Sequence, residues 1–186
     1  MLIFFYSFIC LGFLYYLAQP SLSFPEPPRD AVRSLEPADS ETEERRAYFT
    51  NYTREEINDN YQDQYTLQVL GIEMPSYILT YPPEDAYGLI RDQTRSTHLR
   101  EIVYPFRESL FVNEFVAKEV KDDIWYKGEH FDQKITVKIK TSDRVSRLAI
   151  GLVTCIVLWF LVVELVKTLG RLLIALRSLK WPFFWN

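Results

Sequence analysis

The chain is poor in the residues that build most catalytic and metal sites. Its 186 residues include two cysteines, two histidines and only six glycines. Both cysteines, Cys10 and Cys155, lie inside apolar runs, and none stands between them. That placement excludes a disulfide-stapled secreted domain and a cysteine-based zinc site. No glycine-rich phosphate loop, nucleophile elbow or zinc-protease helix occurs, and neither Ser109 nor Ser146 has the sequence context of a nucleophile. Bulk positive charge is missing too. A net charge of −4 and a pI near 5.3 argue against a protein that grips nucleic acid through its basicity.

The two histidines do not repair this deficit. His98 has Glu101 three residues on, which would place both on one turn of a helix, but a metal ion wants three or four ligands and no further His or Cys is available in this region. His130 follows a turn signal and reads as a solvated turn residue. We therefore expect no catalytic residue, no cofactor and no metal, and an enzyme is the weakest of the readings below.

What the chain does have is aromatic and apolar surface: thirteen Phe, twelve Tyr and four Trp. From Leu148 to Val163 it runs uncharged, with Arg144 and Arg147 before and Lys167 and Arg171 after. A membrane span needs about 20 mainly apolar residues, so a transmembrane helix is expected over 144–167. Glu164 is placed to pair with Lys167 at helical i,i+3 spacing. A second apolar run covers residues 2–17. Ser21-Leu22-Ser23 offers small residues suited to cleavage, yet no Lys or Arg precedes the apolar core. Residues 1–23 thus read as either a signal peptide or an N-terminal anchor. The order of segments suggests that the part between them is exoplasmic (periplasmic, extracellular or lumenal). The basic residues flank both ends of the later span and do not decide the matter.

Residues 24–63 carry eleven acids against five arginines and four prolines near their start. This composition predicts a solvated acidic linker. Ser40 and Glu43 have capping-box spacing for a short helix over 40–46. Asn51-Tyr52-Thr53 is a glycosylation sequon, which makes Asn51 a candidate acceptor if this part faces a eukaryotic lumen.

Residues 64–143 turn toward strand patterns. Strands are expected at 65–70, 76–81, 101–104 and 109–116, and a short helix at 84–91. Residues 123–140 read as a hairpin turning near Lys127-Gly128-Glu129. Ile135, Val137 and Ile139 alternate there with Thr136, Lys138 and Lys140. The lysines look like protection of an exposed strand. Arg91, Arg95, Arg100, Tyr104 and Arg107, with Phe106 and Phe111 nearby, are a candidate surface for an acidic partner or lipid headgroups. Ordinary paired surface charge is the simpler account of them. The tail, residues 168–186, is amphipathic, and Lys167, Arg171, Trp181 and Trp185 suit the membrane interface.

The expected fold class is a membrane-anchored α+β chain, with a small, mostly antiparallel β-rich soluble domain followed by a C-terminal transmembrane helix. The expected role is that of a noncatalytic integral membrane protein, a subunit or scaffold of a membrane complex. Its partners would be the lipid bilayer and other proteins, not nucleic acid. A ligand- or surface-binding ectodomain is the alternative, and a membrane-tethered enzyme comes third.

Overall fold

The computed structural model describes residues 2–39, 42–89 and 96–178. In chain order the elements are α1 (Leu2–Ala18), β1 (Val32–Arg33), β2 (Arg45–Thr50), α2 (Arg54–Gln64), β3 (Gln68–Val69), β4 (Ile72–Glu73), β5 (Tyr77–Tyr81) and α3 (Pro83–Leu89). There follow β6 (His98–Tyr104), β7 (Glu108–Val116), β8 (Ile124–Tyr126), β9 (Glu129–Phe131), β10 (Gln133–Lys140) and α4 (Arg144–Ser178). The chain forms two compact units: a helical one from Met1–Ala18 and Arg144–Asn186, and a domain, Gln19–Asp143.

The domain is built on a mostly antiparallel sheet of six strands in the order β1-β2-β10-β7-β6-β5. Its register sorts side chains onto two faces. Ile135 stands opposite Tyr48 and Glu114, Val137 opposite Val112, and Ile139 opposite Leu110. On β6, Ile102 and Tyr104 continue that face. Helix α2 lies over it, with Ile57 and Tyr61 buried, and the Tyr65 and Tyr104 rings meet just beyond the helix at 5.9 Å. The opposite face carries Leu99 and Phe111, covered by Ala86 of α3 and flanked by Tyr81. Further along it, Phe49 packs with Ile124 and Phe131 of the β8–β9 hairpin. A sheet so covered on both faces buries enough apolar area to hold a small domain; each fully buried large aliphatic or aromatic side chain contributes about 1.5–3 kcal/mol.

Several expectations from the sequence are realised. Strands β5, β6 and β7 fall where the β-formers cluster, and α3 follows Pro82. The turn of the β8–β9 hairpin is at Lys127-Gly128, both with positive φ (52° and 87°), the region that glycine enters without steric cost. Ile135, Val137 and Ile139 are all interior, as their alternation requires.

Others are corrected. The stretch 24–63 is not a solvated tether. Its β2 lies inside the sheet between β1 and β10, and its α2 caps one face. The acidic count concealed this because several of the acids are paired within the fold, some with residues distant in sequence. Asp39 accepts hydrogen bonds from Ser34 Oγ (2.6 Å) and Lys134 Nζ (2.7 Å), and Lys134 also reaches Glu36 Oε2 at 2.8 Å. Burial alone would lower Lys134, but the hydrogen bonds to Asp39 and Glu36 outweigh it and hold the ammonium above its ordinary value. No helix spans 40–46 as expected: Arg45 and Arg46 open β2, while Ser40 lies outside the described residues. A capping box does exist, thirteen residues later. Thr53 accepts from the Glu56 backbone N–H, and the Glu56 carboxylate accepts from the Thr53 backbone N–H.

The second strand expected in the hairpin over 123–140 is in fact two elements. Strand β8 turns back as the short β9, and β10 is a separate strand flanked by β2 and β7. Its lysines therefore guard no edge. The expected strand over 65–70 shrinks to the two-residue β3, paired with β4.

In the helical unit α1 and α4 run antiparallel. Leu17 is buried against Gly151, where a Cβ would collide with the Leu17 side chain. Tyr6 and Trp159 rings lie 5.2 Å apart, and the Tyr6 hydroxyl donates to the Cys155 carbonyl. Helix α4 is long and apolar enough to cross a membrane. Its 35 residues rise about 52 Å at 1.5 Å each, more than a hydrocarbon core of about 30 Å requires.

Candidate functional site

The residues singled out from the sequence as a basic-aromatic surface do not share one environment. Arg91 and Arg95 lie outside the described residues. Arg100 is half-buried on β6. Tyr104 is interior: its hydroxyl donates to the Tyr65 carbonyl (3.0 Å) and accepts from the Leu67 N–H (2.9 Å). Arg107 is interior as well, with a fully buried guanidinium. A surface role for Tyr104 and Arg107 is thereby corrected, because backbone carbonyls distant in sequence satisfy them.

Arg107 instead works as a clamp at the β6–β7 turn. Its Nη1 donates to Gln19 O (3.1 Å) and Nη2 to Pro20 O (2.7 Å), while Nη2 also reaches Glu108 Oε1 at 2.7 Å. Glu108 Oε1 in turn accepts from the Leu22 N–H at 3.3 Å. The Arg107 carbonyl accepts from Ser142 Oγ at 2.6 Å. The first and last residues of the domain are thus held at one turn, where Phe106 adopts a φ of 62°.

A second polar cluster sits beneath the start of α2. Glu114 on β7 is fully buried, and its Oε2 accepts from Arg54 Nε at 2.7 Å. Its Oε1 has no hydrogen-bond partner among the described residues, nor have His98 Nε2 and Arg100 Nε. Register places His98 directly opposite Glu114. Burial pushes the Glu114 carboxyl above the usual range, against the pull of Arg54 and Arg100. Burial, then Arg54 and Arg100, hold the His98 imidazole below its ordinary value. His98 and Glu101 do not meet as a helical pair. They lie on a strand, where an odd separation sends side chains to opposite faces. Glu101 accepts from the Tyr81 hydroxyl at 2.5 Å, which with burial pushes Tyr81 up to about 12. His130 is exposed on β9 with its ring 5.4 Å from that of Trp125.

Among the described residues no three His, Cys, Asp or Glu side chains gather as a metal site. A shallow pocket of about 270 Å³ is lined by Ser96, Thr97, Phe115, Val116, Lys118 and Glu119 among others. Asn51 is exposed, its Oδ1 accepts from the Asp132 N–H at 3.0 Å, and Thr53 of the same sequon is the α2 N-cap. A threonine at position 53 thus has a structural use independent of any glycan. Lys167 pairs with Glu164 at 2.7 Å, Arg171 lies on α4, and Trp181 and Trp185 are outside the described residues.

The feature that sequence reasoning missed is an edge. Strand β5 ends the sheet and, among the described residues, has β6 as its one strand neighbour. Tyr77, Ile78 and Leu79 are 62%, 41% and 44% exposed, so the strand is open on both faces and along its rim. The opposite edge, β1, is two residues long. An apolar edge free of charge is what other proteins usually avoid by lysines, proline or short length. The only sequence signal for it is the uncharged run Tyr77-Ile-Leu-Thr-Tyr81. No protein-family model, curated protein or solved structure matches the chain.

Proposed function

We propose that this chain is a noncatalytic integral membrane protein that serves as a subunit or scaffold of a membrane complex. Helix α4 supplies the anchor, and the β-rich domain lies on the exoplasmic side. The observation that carries the reading is the β5 edge, whose Tyr77, Ile78 and Leu79 are exposed without a single charge between Tyr77 and Tyr81. Such an edge fits an extended strand of a partner protein, which would satisfy its backbone groups and cover Ile78 on one face and Leu79 on the other. Register supports this division, since Ile78 stands opposite Ile102 and Leu79 opposite Glu101 across β6. The Arg107–Glu108 clamp ties both ends of the domain to one turn, which supports its use as a platform.

Purification of the full chain in mild detergent tests the reading. Recovery of a protein partner at fixed stoichiometry is the expected result. A monodisperse chain without a partner, from membranes where it is expressed at its natural level, overturns it.

A further inference from the structure

We infer that the N-terminal apolar segment is retained as a second membrane span, paired with α4 in a helical hairpin; this rests on the reading of α4 as the membrane anchor. Two independent observations carry it. The first lies in the helical unit. Gly151 of α4 leaves a notch that the Leu17 side chain fills, with Leu14 and Phe13 beside it. One helical turn on, Cys10 and Cys155 line the same groove between the helices, the Tyr6 hydroxyl donates to the Cys155 carbonyl, and beyond that Tyr6 meets Trp159. A small residue facing a large one, with side-chain hydrogen bonds between helices, is how helices associate in lipid, where apolar burial offers no net drive. A signal peptide destined for removal needs no such match.

The second observation lies in the domain. Cleavage after Ser23, the one site with small residues suitably placed, removes Gln19, Pro20 and Leu22. Arg107 would lose both backbone carbonyls that hold its buried guanidinium, and Glu108 would lose the Leu22 N–H. Arg107 would keep Glu108, but a buried guanidinium that loses two acceptors is less favourably held. The domain therefore uses the residues that processing would discard. Because α1 and α4 are antiparallel, two spans would bring the far ends of both helices to one side of the membrane. The 17 residues of α1 are at the short end of the spanning range.

Methionine placement gives a direct test. The chain contains Met1 and Met74 only, so cyanogen bromide separates Cys10 from Cys155. Full-length protein in native membranes is oxidised with copper–phenanthroline, alkylated and cleaved at Met74. The expected result is that the two fragments stay joined until reductant is added. Gly151→Leu should lower the joined fraction severalfold, while Gly170→Leu, at a position where a Cβ meets nothing within 4 Å, leaves it unchanged. Fragments that separate without reductant, or a mature chain whose N-terminus lies beyond Ser23, overturn the inference. Carbonate extraction keeps its failure distinct from that of the membrane reading. A chain released by carbonate refutes the anchor itself, whereas a carbonate-resistant chain lacking α1 refutes only the hairpin.

Discussion

Arg54 at the first position of α2 sets its Nε 2.7 Å from Oε2 of Glu114, whose side chain is fully buried while that of Arg54 is 42% exposed. The asymmetry decides what each substitution does. Arg54→Ala leaves a carboxylate in the interior without its principal donor, a loss of about 1–3 kcal/mol for an unsatisfied buried group. Glu114→Gln keeps the shape and an acceptor, removes the desolvated charge, and lets the arginine reach water. The second variant should therefore lose clearly less stability than the first. Urea unfolding of the two detergent-solubilised proteins, followed by hydrogen exchange in β6 and β7, measures the difference. Equal losses would show that the ion pair and not the burial of Glu114 governs the site.

The same cluster sets a pH dependence of two signs. The folded His98 imidazole is held below its ordinary 6.5, so the unfolded chain takes up a proton first. Its contribution is present above about 6.5 and is lost as pH falls through the folded value. Glu114 is held above the ordinary carboxyl value of 4.5, so the folded state takes up that proton first, and stability declines as pH rises from there through the folded value. Replacing His98 by Gln should flatten the loss of stability below pH 6.5, and Glu114→Gln should flatten the decline above 4.5. Thermal midpoints of the three proteins across pH 4 to 8 check both arms. The same slopes in all three would place the titration elsewhere.

The parts of this fold that were legible in the sequence are those with a local cause. The alternation of Ile135, Val137 and Ile139 marks a strand with one apolar face, and Lys127-Gly128 marks a turn. What escaped depends on residues far apart. Strand β2 pairs Tyr48 with Ile135, and nothing near Tyr48 announces that partner. Arg107 looks like a surface cation until its contacts to Gln19 and Pro20, nearly ninety residues earlier, are known. The pairing of His98 with Glu101 failed for a simpler reason: their spacing fits a helix, and tertiary pairing with β7 made the segment a strand.

Thr53 joins two roles that substitution can separate. It is the N-cap of α2 and the third residue of the sequon at Asn51. Thr53→Ala removes the cap, which costs about 0.5–2 kcal/mol, and also destroys the sequon. Asn51→Gln destroys the sequon and displaces the acceptor of the Asp132 N–H but leaves the α2 cap intact, and Thr53→Ser preserves both. In a eukaryotic lumen, loss of a glycosidase-sensitive mobility shift in the first two variants but not the third would establish a glycan at Asn51. The stability loss in α2 should follow Thr53→Ala only, read as faster hydrogen exchange there.

Strand β5 yields the sharpest separation between folding and assembly. Leu79 is 44% exposed on an outer strand, so Leu79→Lys removes little buried surface and should change stability by no more than about 0.5 kcal/mol. A lysine on a sheet edge is, however, a strong bar to pairing with another strand, because its charge would be desolvated between the two. Partner recovery should therefore fall severalfold while the thermal midpoint holds. Leu70, 80% exposed at the β3–β4 turn, supplies the comparison, since Leu70→Lys adds the same charge to an apolar site away from the edge. Its partner recovery should match that of the unmodified chain. Full recovery with Leu79→Lys, or equal loss with both variants, would remove β5 from the interface and leave α1 and α4 as the place to look.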